Sequence, residues 1–179
     1  MSGRPIGMEQ QAPLACLPYD PRAPEVASTV TGMIHQHLPH VLVEHIGSTA
    51  VQGCVGKGVI DLLIPYREGE LEPIKETLQE LGFQRQSRRD PFPEDRPMRV
   101  GSIRYDGDTF RLHVHVVPAS SGEPDELRAF RDRLRNDPEM MEAYVRRKRE
   151  IIQGGTTDAI DYSIIKGAFV QEALEEMNR

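Results

Sequence analysis

Apolar positions along the chain follow two periods, one helical and one strand-like. Residues 1–18 hold Gly, Pro and Gln without periodicity and read as a flexible arm. Val26, Val30, Ile34 and Leu38 then recur at helical spacing. Asp20-Pro21 supplies a capping side chain followed by proline at the first helical position, and Pro39 stops the run. Residues 41–46 (VLVEHI) read as a strand. Residues 59–64 (VIDLLI) are almost wholly apolar, the pattern of a strand buried on both faces, yet one charge, Asp61, sits inside them. Leu71, Ile74, Leu78 and Leu81 mark a helix with Gly82 as its end cap. Residues 84–99 are rich in proline and arginine and read as an irregular surface loop. Residues 100–105 and 109–117 predict two strands around the turn Asp106-Gly107.

The remainder is helical. Leu127, Phe130 and Leu134 share one face, with Arg128, Arg131 and Arg135 expected opposite. Asp137-Pro138 starts the next helix, with Met141, Tyr144, Val145 and Ile152 on its buried side and Gly154-Gly155 at its end. Asp158 is placed to cap a last helix through Tyr162, Ile165 and Phe169. This order predicts an α/β (α+β) protein, a mixed sheet flanked by helices with a helical C-terminal part. Residues 19–179 read as one domain, a sheet-containing core over 19–120 followed by helices over 121–179.

Composition narrows the functional classes. The 179 residues carry a formal net charge of -6, which argues against generic binding to nucleic acid or anionic membrane. Cys16 and Cys54 form no CxxC pair, so neither a disulfide framework nor a zinc knuckle is expected, and a reducing, cytoplasmic setting fits. The opening residues do not have the pattern of a signal peptide, and no apolar run reaches membrane-spanning length.

Candidate chemistry centres on two stretches. Gly47 permits a sharp turn after a strand, and Ser48, Thr49 and the backbone amides there can face a phosphate. Asp61, in the next strand, can hold a divalent cation that bridges such a phosphate, the pairing phosphoryl transfer needs. Lys57 adds a positive charge. This is no P-loop, because Val51 stands where the first glycine of that motif belongs and Gly58 follows the lysine. The second stretch is 109–117, where Arg111, His113, His115 and Val117 share one face and Phe110, Leu112, Val114 and Val116 the other. Asp61, His113 and His115 together make a mixed O/N metal set, and His45 could add a ligand or an acid–base group. The competing reading of His-x-His is polar decoration of a solvent-facing strand. The loop arginines Arg85, Arg88, Arg89 and Arg96 read as solvated charge balanced by Asp90, Glu94 and Asp95, whereas Arg99 and Arg111 are candidates to hold phosphate.

The run EHIGSTAVQGCVGKGVIDLLI resembles the signature of the GrpB family, and RLHVHVV, FRDRLRNDPE, AYVRRK and DYSIIKGAF follow in the family's order. The resemblance covers the chain from about Tyr19 onward. It implies a nucleotidyltransferase-like fold, and with it a divalent metal (Mg²⁺ or Mn²⁺ foremost, Zn²⁺ as an alternative) and a nucleoside triphosphate as substrate. By the same resemblance Arg131, Tyr162 and Lys166 line the cleft, with structural salt bridging as the other reading. Gln52 and Gly58 stand where the family has proline, and Leu63 stands where an active nucleotidyltransferase has its second carboxylate. Three functions follow as expectations. One is metal-dependent nucleotidyl or phosphoryl transfer to a small acceptor. Another is a module that binds a nucleotide or phosphometabolite without turnover. The third is a hydrolase built on Asp61, His113 and His115. The expected partner is a small phosphorylated molecule or a nucleotide, and the assembly is left open between monomer and homodimer.

Overall fold

The computed structural model describes residues 5–88, 90–155 and 159–177, and the side chains of all of these except 159–166 and 177. Arg89 and the expected cap Asp158 lie outside the described residues, as do the side chains of Tyr162, Ile165 and Lys166.

The elements are α1 (Ala23–His35), β1 (Glu44–Ile46), a short 3-10 turn (Ser48–Ala50), β2 (Val59–Tyr66), α2 (Leu71–Leu81), β3 (Gln84–Arg85), β4 (Met98–Tyr105), β5 (Asp108–Pro118), α3 (Glu123–Asn136), α4 (Pro138–Gln153) and α5 (Ala159–Met177). The strands form one sheet in the order β1-β2-β5-β4-β3. β2 and β5 run parallel, and every other neighbouring pair is antiparallel. The mixed sheet flanked by helices is the expected fold class. Among the described residues no helix is long and apolar enough to cross a membrane.

Strand alternation divides the sheet into two faces. Ile60, Leu62 and Ile64 of β2 and Leu112, Val114 and Val116 of β5 are wholly buried, in one cluster with Val26, Val30 and Ile34 of α1 and Ile74 and Leu78 of α2. This is the main core, and the opposite face of β2 and β5 carries Asp61, His113 and His115. Part of that second face is covered by Ile46, Leu63 and Val117 packed with Leu127 of α3. A third cluster joins Val51 and Cys54, in the loop before β2, to Leu134 and Tyr144 of the C-terminal helices.

Several elements depart from the periodicity, each for a local reason. The strand expected over 41–46 shrinks to β1, because the Val41 amide donates to the Leu38 carbonyl and closes a turn, which sends Val41 into the core. α1 begins after Arg22 rather than at Asp20. The Asp20 carboxylate accepts from the backbone N and Nε of Arg22, and Pro24 takes the first-turn position. Residues 84–99 are not wholly irregular. Gln84 and Arg85 pair with Val100 and Arg99, and β4 starts at Met98. On α4 the buried positions are Tyr144, Lys148 and Ile151, so the stripe passes through a lysine and misses Ile152. Asp137 caps that helix as expected, accepting from the Met140 amide.

The arm is also not loose over its described part. Ile6 is 3% exposed and belongs to the main core. Gly7 exchanges backbone hydrogen bonds with Ser102 of β4, and Leu17 does the same with Gly56. β3 covers only the first residues of the β4 edge, and the arm satisfies backbone groups further along.

Candidate metal and phosphate site

Parallel pairing of β2 with β5 sets Asp61 opposite His113 and Leu63 opposite His115. All four side chains therefore share a face. Asp61 Oδ1 lies 3.1 Å from His115 Nε2 and 3.6 Å from His113 Nδ1. One ligand atom from each of the three residues falls within 4.8 Å of the others. Gly47 makes room above them. It adopts φ +75, and a Cβ there would stand 2.9 Å from Asp61 Oδ2. The glycine is thus required both by its left-handed backbone and by the closeness of the carboxylate.

Electrostatics favour an ionised carboxylate. Burial works against charge on Asp61, but the close approach of His113 and the hydrogen bond with His115 outweigh it and hold its pKa well below the usual range. Burial likewise opposes charge on His113, yet the neighbouring carboxylates of Asp61 and Glu9 raise its pKa. For His115 burial prevails and the pKa falls. Its Nδ1 is buried with no hydrogen-bond partner among the described residues. One carboxylate and two imidazoles fit a divalent ion that accepts nitrogen donors, Mn²⁺, Fe²⁺ or Zn²⁺, better than Mg²⁺, which prefers an oxygen shell.

Beside this cluster lies a cavity of about 330 Å³. Its walls include His113, Lys57, Arg88 and Arg111, and the arm residues Glu9 and Gln10. Arg111 also donates to the Lys57 carbonyl, tying β5 to the loop before β2. The structure therefore brings Lys57 and Arg111 next to the Asp–His cluster.

Other candidates stand elsewhere. His45 pairs with Leu62, so it projects to the face opposite Asp61. Its Nε2 is 2.9 Å from Thr49 Oγ1. The Thr49 hydroxyl itself donates to the Val59 carbonyl, which leaves His45 Nε2 to donate. Burial drives the His45 pKa down to about 4, so the ring is neutral near pH 7 and serves as a tie between β1 and the turn. Thr49 is buried in the same tie. Ser48 rests against Gly56, where a Cβ would collide with its hydroxyl. Arg99 pairs with Val114 and is on the core side, 5% exposed, with its guanidinium 2.8 Å from Glu94. Arg131 donates to the His45 carbonyl, while Arg128 bonds Glu44 and Arg135 bonds the Ala50 carbonyl. These arginines clamp α3 onto β1 and the turn, rather than facing away from the Leu127 side as the helical spacing suggested. Leu63 is fully buried in its apolar cluster, so the position of a second carboxylate is sealed.

Three further residues bear on the site, of which Glu9 gave no signal in the sequence. Glu9 comes from the arm and lies 3.7 Å from His113 Nε2. Arg99 is not near the site; of the loop arginines read as solvated charge, Arg88 walls the cavity and Arg96 stands beside His115. The Arg96 guanidinium stacks 4.2 Å over Phe92, whose ring edges onto His115, and it bonds Glu123 of α3. Lys148 is 1% exposed, donates to the Val55 carbonyl and lies 4.1 Å from the Tyr144 ring centre. It pins α4 to the loop that leads into β2.

A five-stranded mixed sheet flanked by helices, with a carboxylate–dihistidine cluster on its open face, defines the class. The family described as GrpB protein matches residues 13–176, and the chain belongs to that family. It is 28% identical to the UPF0157 protein BH1888 of Halalkalibacterium halodurans over 170 residues, 93% of this chain and 84% of the relative. In fold it matches the crystal structure of the conserved protein GrpB from Enterococcus faecalis with a TM-score of 0.68 at 24% identity, covering 92% of this chain and all of that one. A fainter likeness, TM-score 0.44 at 13% identity, is to the Cid1 poly(U) polymerase, over 75% of this chain and 44% of the other.

Proposed function

We propose that the chain binds one divalent cation between Asp61, His113 and His115 and uses it in phosphoryl or nucleotidyl transfer to a small acceptor. The observation that carries this reading is the convergence of those three ligand atoms within 4.8 Å. Lys57, Arg88 and Arg111 on the adjoining cavity favour a phosphorylated small molecule or a nucleotide as its occupant. The cation would supply charge neutralisation at a phosphoryl oxygen. Asp61 stays ionised to hold it, and His115 is held neutral by burial, the state in which imidazole ligates. The test is consumption of a nucleoside triphosphate with Mn²⁺ across a panel of small acceptors. Turnover that is lost in Asp61→Asn is expected, and no turnover with any acceptor counts against transfer.

The burial of Leu63 favours a second reading, binding without turnover. Under that reading a nucleotide raises the thermal midpoint in proportion to its concentration over Kd, with no product formed. A shift that survives Asp61→Asn and needs no metal would support binding over catalysis.

A further inference from the structure

The arm is fixed at two points, Gly7 on Ser102 and Leu17 on Gly56. Between them it passes beside the Asp–His cluster and walls the cavity with Glu9 and Gln10. Glu9 is set in register by its own backbone, whose N–H donates to Gln84 Oε1 at 2.9 Å. Ser102 Oγ donates to the Met8 carbonyl at 2.6 Å and fixes the preceding residue. The Glu9 carboxylate then stands 3.7 Å from His113 Nε2, while Asp61 is 3.6 Å from Nδ1 of the same ring.

The two nitrogens of an imidazole point away from each other. A carboxylate on Nε2 therefore cannot share a cation with the Nδ1 side. Glu9 instead occupies the place of the acceptor that takes the remaining N–H of a metal-binding histidine, fixing its tautomer and ring orientation. By contrast, the orphaned Nδ1 of His115 has no such acceptor among the described residues.

We infer that Glu9, carried by the N-terminal arm, is a positioning residue that orients His113 for the cation held with Asp61 and His115. This makes the arm a working part of the site rather than a leader to the domain. The inference rests on the metal reading above.

The test is Co²⁺ binding by the full chain, followed by calorimetry and by the visible spectrum of the bound ion, with Asp61→Asn as the control for the site itself. Glu9→Ala is expected to weaken Co²⁺ binding by on the order of 10- to 100-fold. Glu9→Gln is expected to recover part of that loss, since its amide oxygen can still accept from His113 Nε2. Thermal midpoints of the metal-free proteins separate positioning from simple support of the fold. A structural role alone would lower the Glu9→Ala midpoint and leave its Co²⁺ affinity intact well below that temperature. Wild-type affinity in Glu9→Ala, with binding abolished in Asp61→Asn, overturns the role of Glu9 and leaves the metal site standing. No Co²⁺ binding by the wild type overturns both.

Discussion

At the scale of single residues, parity within a strand decides what each histidine does. His113 and His115 are two apart on β5 and share the face of Asp61. His45 is also in a strand, but its pairing with Leu62 turns it to the other side. Its consequence is a pH dependence of stability. The folded pKa of about 4 lies below the ordinary 6.5, so the unfolded chain takes the proton more readily between those values. Stability therefore falls as pH drops from 6.5 towards 4. At about 1.4 kcal/mol per pKa unit, the loss is up to about 3 kcal/mol. His45→Gln is expected to flatten this part of the stability curve measured by urea unfolding. An unchanged slope would show that His45 is not buried neutral. That His113 and His115 share one face was legible from strand alternation; that this face meets Asp61 was expected only from the family resemblance. The fate of His45 was not legible, because it depends on a register between strands that no local pattern encodes.

At the scale of elements, α2 and the β4–β5 hairpin followed their patterns. α2 ends at Gly82 in the left-handed conformation, and the hairpin turns at Asp106-Gly107 with both residues at positive φ. What local pattern missed were contacts between distant segments. The arm lacks periodicity because it is held by backbone pairing and by one anchor, Ile6, rather than by an amphipathic face. Ile6→Ala is expected to destabilise the protein by about 2–5 kcal/mol, the cost of emptying a core site. Chemical denaturation would measure it, and a change near zero would return the arm to the status of a loose extension. Arg99 was misplaced for a related reason. Its charge suggested an anion site, but Glu94 and the core face of β4 claim it. Bonding to Arg99 in turn holds the Glu94 pKa down to about 2.

At the scale of the whole molecule, the sheet separates the main core from the Asp–His cluster. One face carries the main core beneath α1 and α2. The other presents Asp61, His113 and His115, bounded by the arm, the loop bearing Phe92 and Arg96, and the apolar cluster around Leu63. α3 and α4 secure β1, the turn after it and the loop before β2 through Arg128, Arg135 and Lys148. A chain of net charge -6 thus carries a local basic wall at Lys57, Arg88 and Arg111 beside the cluster. Both the transfer reading and the role of Glu9 depend on whether a cation sits at the junction of β2 and β5. The most direct measurement is elemental analysis, with titration by Mn²⁺ and Zn²⁺, of protein purified without chelator. The account predicts one divalent transition ion per chain, lost in Asp61→Asn and in His115→Ala. Protein that neither carries nor takes up such an ion, or that binds it equally well in both variants, would contradict it.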